Sequence, residues 1–314
     1  MLTGQYGKKF NNYMGVALAY PTDSFETVFV DVARLSDHRV GGWPRPPSNS
    51  GVGGYGEAVK KLFSVLFQPL MRLPAPEYQT KGGHDHWEIS EHRFNILLTA
   101  CLRSKHFEDD ADMEVGTFVI STYHMPCAFY APMVMNIHAE MAARRCQDLA
   151  QDDPYVLAGD FNFLPDSPHY KLLTTGRLDR SDPTYPTSKY GMEWSSNIVG
   201  MKSAYGMSNR GEPEFTNYTQ VEDDYPFVGT LDYIFLSDEW TISGVKNLPS
   251  KWDVVGPFPT EREPSDHVLI AANLAISYDI NKSRTSSDSV TDGETAVSEL
   301  TQDYPPVTKI TTSS

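Results

Sequence analysis

Four short stretches of this 314-residue chain carry side chains able to do acid–base and phosphate chemistry. Gly159-Asp160-Phe161-Asn162 places a carboxylate and a carboxamide two positions apart. An ionised Asp only accepts hydrogen bonds, whereas Asn brings two N–H donors and one acceptor. Such a pair can orient a water with one arm and hold a phosphoryl oxygen with the other. Gly, Asp and Asn also build ordinary turns, so this stretch alone leaves a plain turn open. Thr122-Tyr123-His124-Met125 puts a histidine at the end of an apolar run, where a packed or hydrogen-bonded imidazole is the commoner outcome. Asp232 interrupts the apolar run Gly229–Phe235. A carboxylate there is costly to bury unless it is paired. Pro264-Ser265-Asp266-His267 adds an acid and an imidazole just before another apolar run.

The third and fourth stretches explain each other. An Asp in one strand and a His at the mouth of another make a carboxylate–imidazole pair, which fixes the His tautomer and raises its pKa. Asp232 and His267 are read as that pair. Asp266 is then free to face a divalent cation or a water, and Asp160 and Asn162 can address the same point. Water activation, charge neutralisation and a cationic donor are the parts that metal-assisted hydrolysis of a phosphate ester requires.

Strands must carry these residues to one place. Pro154-Tyr-Val-Leu-Ala158 reads as a buried strand leading into Asp160, and Gly116–Tyr123 as a strand ending beside His124. Further strands are expected at Val16–Tyr20, Thr27–Val32, Asn95–Leu102, Lys202–Tyr205, Leu231–Leu236, Thr241–Val245 and Val268–Leu274. A helix from Pro132 is marked by Val134, Ile137, Met141 and Leu149, and Glu57–Met71 shows the same spacing. Strand, helix, strand in succession is an α/β signature. Residues 40–90, rich in Gly, Pro and Ser at their start, read as an insertion. The acidic run Glu108–Asp112 lacks the Gly and distal Glu of a calcium loop and reads as a solvated turn. One domain over 1–278 is expected, followed from 279 to 314 by a disordered acidic Ser/Thr-rich tail.

The net charge of −15 does not suit a protein that holds nucleic acid by a broad basic face. The tail carries a net of only −3 of this. A phosphate ester would need a metal ion and a few local Lys or Arg for its attraction. Cys101, Cys127 and Cys146 show no C-x-x-C spacing, which suits a reducing compartment and argues against zinc. No run approaches the roughly 18 apolar residues of a membrane span, and no membrane partner is expected. Met1-Leu-Thr-Gly-Gln-Tyr shows neither a signal nor a transit pattern, so a cytoplasmic location is expected, with nuclear as the alternative.

These segments resemble the endonuclease/exonuclease/phosphatase superfamily. Gly159-Asp160-Phe161-Asn162 matches its Gly-Asp-Phe/Leu-Asn motif, Ser265-Asp266-His267 its closing Ser-Asp-His, and Leu231-Asp232-Tyr233 the strand Asp that pairs with that His. Thr122–Met125 fits its Asn-Thr-His-Leu segment more loosely. Phe215-Thr-Asn-Tyr-Thr219 followed by Gly229–Phe235 looks like the deadenylase, nocturnin, angel and 2′,5′-phosphodiesterase branch. The resemblance covers roughly residues 13 to 275 and implies a four-layer α/β/β/α sandwich, two packed mixed β-sheets flanked by helices. It implies a Mg²⁺- or Mn²⁺-dependent phosphodiester hydrolase, most like a deadenylase-type exonuclease acting on single-stranded RNA. A phosphatase for a small phosphorylated metabolite or lipid headgroup is the alternative of the same chemistry. In this scheme Asp160 orients or deprotonates the water and Asn162 holds it or a phosphate oxygen. His267, supported by Asp232, donates to the phosphoryl group. His124 stabilises developing charge, Asp266 helps to place the metal, and Asn217 contacts substrate.

The family also opens with an Asn-bearing strand and a second strand ending in Gln-Glu, whose Glu is the principal Mg²⁺ ligand. No Glu precedes Glu26 in this sequence. The expectation is therefore an amino-terminally incomplete domain. It is either a piece of a longer enzyme or a shortened, catalytically inactive binding protein.

Overall fold

The computed structural model of the chain describes residues 1–7, 13–47, 85–105, 116–222 and 225–276. The strands of its first half are β1 (Leu2–Gly7), β2 (Tyr13–Leu18), β3 (Phe25–Arg34), β4 (Ile96–Ser104), β5 (Thr117–His124) and β6 (Tyr155–Asp160). Those of its second half are β7 (Lys202–Ser203), β8 (Asn217–Glu222), β9 (Tyr225–Gly229), β10 (Asp232–Leu236), β11 (Trp240–Val245) and β12 (Ala272–Ile276). Among the described residues the α-helices are α1 (His86–Glu91), α2 (Pro132–Ala150) and α3 (Pro168–Thr175).

A six-stranded sheet in the order β3-β4-β5-β6-β10-β7 forms the centre. Only β5 and β6 are parallel, and helix α2 supplies the crossover that such a pair needs. On one face, Leu97, Val119, Tyr123, Leu157, Phe161 and Phe235 pack against Ile137 of α2 and Leu172 of α3. On the other, Ala100, Leu102, Phe118, Val156 and Leu236 pack with Trp240 of β11 and other apolar residues of the β1–β2 and β11–β12 pairs. The molecule is a mixed α/β structure, with helices on one side of the central sheet and further β-structure on the other. That second β-layer is built of two separate antiparallel pairs, β1–β2 and β11–β12.

Helix α2 is covered from both sides, which explains its many buried polar groups. Asn136 and His138 have local partners, as burial demands, whereas Glu140 Oε1 is buried without a hydrogen bond among the described residues. Asn136 donates to the Thr184 carbonyl at 2.8 Å. His138 Nδ1 lies 2.8 Å from the Tyr123 hydroxyl, and its Nε2 lies 3.1 Å from the Ser90 carbonyl. At the solvent side Arg145 grips Asp31 of β3 with two bonds of 2.8 and 3.0 Å.

Several expectations shift. β1 pairs with β2 over six positions, although residues 1–7 carry no strand reading in the sequence. The ends of the 40–90 insertion are part of the core. Trp87 on α1 is 2% exposed and Trp43 packs beside it, with the Arg39 guanidinium 4.7 Å above the Trp87 ring. The expected last strand, Val268–Leu274, begins only at Ala272, because Val268 is drawn off to the Thr216 carbonyl. The expected helix Glu57–Met71, the acidic run Glu108–Asp112 and the tail from 279 lie outside the described residues. Among the described residues no helix is long and apolar enough to cross a membrane.

Gly159 is where the central sheet tolerates no side chain. It faces Tyr123 on the parallel neighbour and has φ +148°. A Cβ there would lie 2.0 Å from the Tyr123 carbonyl oxygen, inside any permitted contact. Gly159→Ala must therefore push β5 and β6 apart. We expect it to lower the unfolding free energy by at least about 2 kcal/mol in urea denaturation. A wild-type midpoint would contradict this packing.

Candidate active site

Register builds the site. β6 pairs with β5 so that Asp160 stands opposite His124, and with β10 so that Asp160 also stands opposite Asp232. Three strands thus deliver His124, Asp160 and Asp232 in one row at one end of the sheet. A fourth segment joins through a single bridge between Asn217, the first residue of β8, and His267.

Asp160 Oδ2 is the point on which the row converges. His124 Nε2 lies 3.4 Å from it and His267 Nε2 3.9 Å. Asn162 closes the turn beneath. Its backbone N–H donates to Asp160 Oδ1 at 2.9 Å, and its Nδ2 donates to the Met125 carbonyl at 2.9 Å while lying 3.4 Å from Asp160 Oδ2. Its φ of +53° is the left-handed conformation that Asn tolerates better than most residues. Phe161 between them is fully buried, edge-on to Phe235 with ring centroids 5.2 Å apart. The alternation of the motif is therefore Asp to the site, Phe to the core.

On the other side, His267 Nδ1 is 2.7 Å from Asp232 Oδ2. Asp232 is held in turn by its backbone N–H, which donates to Thr216 Oγ1 at 3.0 Å, while the Leu231 N–H donates to the same oxygen at 2.9 Å. Asn217 is 3% exposed. It places Nδ2 3.4 Å from Asp266 Oδ2, and its Oδ1 is buried with no hydrogen-bond partner among the described residues.

The electrostatics follow from this geometry. Burial, with the Asp232 carboxylate nearby, pushes Asp160 up to about 6, against the Asn162 N–H and His267. The Asp232 hydrogen bond raises His267 above its ordinary value, opposed by burial. His124 is lowered, first by burial and then by the positive charge of His267. Ionising Asp160 therefore costs stability as the pH climbs from 3.8 to about 6. Protonated His267 contributes stability below pH 6.5, lost as the pH rises through its raised value. The row holds a reluctant carboxylate, an imidazole that holds its proton more firmly than usual and one that holds it less firmly.

The structure thus brings together His124, Asp160, Asn162, Asp232 and His267, and sets Asn217 and Asp266 beside them as a pair. Asn162 spends its amide on Met125 and Asp160, so it braces the carboxylate. Among the described residues, no group of three or more His, Cys, Asp or Glu is arranged to hold a metal ion. Asp266, expected to help place the metal, has its Oδ2 3.4 Å from Asn217 Nδ2. These residues alone do not make a magnesium site. Sequence reasoning missed Thr216, whose hydroxyl aims Asp232, and Tyr6, whose hydroxyl lies 2.9 Å from His124 Nδ1. The Thr in Phe215-Thr216-Asn217 was a readable signal, whereas Tyr6 carried none.

The model of the Endonuclease/Exonuclease/phosphatase family matches residues 7–267. Carbon catabolite repressor protein 4 homolog 4 of Arabidopsis thaliana is 38% identical over 125 residues, 38% of this chain and 27% of that protein. The CCR4-Not complex 3′-5′-exoribonuclease subunit Ccr4 of Phaeosphaeria nodorum is 35% identical over 131 residues, 40% of this chain and 21% of that protein. The matches thus span about a fifth to a quarter of these relatives' length. Among solved structures, ANGEL2, a 2′,3′-cyclic phosphatase, in complex with adenosine-2′,3′-vanadate superposes with a TM-score of 0.53 at 16% identity. That superposition covers 82% of this chain and 70% of the other and shows a shared fold. With the family model matched across the row His124–Asp160–Asp232 and on to His267, the chain belongs to the Endonuclease/Exonuclease/phosphatase family.

Proposed function

We propose that this chain hydrolyses phosphodiester bonds, acting on single-stranded RNA as an exonuclease of deadenylase type. The observation that carries the reading is the convergence of His124, His267 and Asn162 on Asp160 Oδ2, with Asp232 bonded behind His267. Above about pH 6 the Asp160 carboxylate is ionised and accepts a proton from the attacking water. The His267 imidazolium, kept charged by Asp232, donates from Nε2 to a phosphoryl oxygen as negative charge builds there. The likeness of the curated relatives, which include 3′-5′-exoribonuclease subunits, supports RNA as the substrate.

Mg²⁺, or Mn²⁺ in its place, is the proposed cofactor. Asp160, Asp232 and Asp266 gather around two imidazoles, of which one is neutral, and a dication would offset that charge. Because the described residues do not close a metal site, the proton steps above are assigned to the side chains alone. A phosphatase acting on a small phosphate ester is the second reading, favoured by the net charge of −15.

Three measurements test the proposal on the full chain. With RNA bearing a 3′ oligo(A) end, Asp160→Asn and His267→Ala should each reduce turnover by at least about a thousandfold. Either variant retaining wild-type turnover rules the mechanism out. Faster turnover of inositol phosphates or a 2′,3′-cyclic nucleotide than of RNA selects the second reading. The pH profile of kcat/KM should be bell-shaped, rising near pH 6 with Asp160 and falling as His267 loses its proton. In Asp232→Asn both limbs should move to lower pH, since Asp232 raises both groups. A fixed alkaline limb would show that His267 does not govern it.

A further inference from the structure

We propose that Tyr6 is a positioning residue, held by Asn95, that locks His124 as an Nε2–H donor facing Asp160. Asn95 is 8% exposed and its Nδ2 has two N–H groups. One donates to the His124 carbonyl at 2.7 Å and the other reaches the Tyr6 hydroxyl oxygen at 3.4 Å. The other group bonded to the hydroxyl, Asn95 Nδ2, can only donate, so among the described residues His124 Nδ1, 2.9 Å away, is the acceptor that takes the single phenolic hydrogen. Nδ1 is then the acceptor, and a neutral ring carries its proton on Nε2, the nitrogen that lies 3.4 Å from Asp160 Oδ2. The edge-on contact of the two rings, centroids 6.3 Å apart at 64°, holds the imidazole in that orientation.

Two electrostatic observations agree. Burial, with a smaller contribution from the Asp160 charge, keeps the Tyr6 phenol up at about 12 against the Asn95 bond, so it retains its hydrogen. Burial and His267 keep the His124 ring uncharged. The two imidazoles around Asp160 are thereby made different. His267 is a cationic donor fixed by a carboxylate behind it, and His124 is a neutral donor fixed by a phenol behind it. The first strand, which contributes no residue to the row itself, sets the polarity of one member of it. The effect on turnover rests on the phosphoester reading above, whereas the tautomer does not.

The test uses full-length protein with ¹⁵N-labelled histidine, reading the ring nitrogens by long-range ¹H–¹⁵N correlation at neutral pH. Wild type should show His124 protonated at Nε2 only, and Tyr6→Phe a mixture of both tautomers. Asn95→Asp turns the donor into an acceptor, draws the phenolic hydrogen away and should favour the Nδ1–H form with Tyr6 intact. Turnover of the Tyr6→Phe protein should fall about tenfold in kcat with KM unchanged, the scale of one hydrogen bond. A wild-type ring protonated at Nδ1, or a Tyr6→Phe spectrum identical to wild type, overturns the assignment. A correct tautomer in a wild-type protein that hydrolyses no phosphate ester would remove the phosphoester reading and leave the tautomer standing.

Discussion

The register between β5, β6 and β10 is the constraint on which the site depends. Strand pairing is quantised, so a slip of one residue would turn Asp160 toward the core and Phe161 toward the site. Buried residues on both faces oppose such a slip. Phe161, Phe163, Tyr233 and Phe235 interlock on the helical face, and Val156 and Leu236 are committed to the other. Gly159 adds a steric term, since the parallel neighbour approaches so closely that only a residue without Cβ fits opposite Tyr123. The placement of His124, Asp160 and Asp232 is thus a by-product of core packing, and His267 is brought to them by the segment bridged to Asn217.

That placement carries an electrostatic cost. Asp160 and Asp232 face one another across a strand pair, and burial adds to their repulsion. The upward shift of Asp160 from 3.8 to about 6 corresponds to about 3 kcal/mol against its charged form. His267 relieves part of this by bonding one carboxylate and lying near the other. The outcome is a carboxylate that is a stronger base than a solvated Asp and still ionises near neutrality, as a general base requires. Had His267 been neutral, Asp160 would resist ionisation further. Had Asp232 been absent, Asp160 would be a weaker base.

Much of this was legible in the sequence, and the physical reasons are specific. Asp160 and Asn162 flanking an apolar Phe, and Asp232 interrupting an apolar strand, violate burial rules in ways that only a polar partner resolves. The pairing of Asp232 with His267 followed from that. Strands β4, β5 and β6 are apolar enough to be read directly. Helix α3 was equally readable from its Ser167 cap, Pro168 in the first turn and Gly176 beyond its end, yet its eight residues are too short for periodicity to announce. Tyr6 lay beyond such reasoning. It stands in β1 among glycines and polar residues, and its partners are 118 and 89 positions away. Trp43 and Trp87 likewise looked like parts of an insertion, because their burial against Arg39 arises only in three dimensions.

The contrast between Asn162 and Asn217 shows how the same side chain can be given opposite work. Asn162 is 6% exposed and its amide is committed to Met125 and Asp160, so it has little left for a ligand. Asn217 is just as buried, but its carbonyl oxygen has no hydrogen-bond partner among the described residues and its amide holds Asp266 only at 3.4 Å. An unsatisfied buried acceptor costs about 1–3 kcal/mol, which a structure tolerates where a ligand or water supplies the missing donor. The strain lies beside the row, one bridge away from His267, and not within it. The row is complete in itself, while the Asn217–Asp266 pair is the part of the site still short of a partner. Within this cluster Asn217 is thus the residue whose hydrogen bonding is unfinished among the described residues.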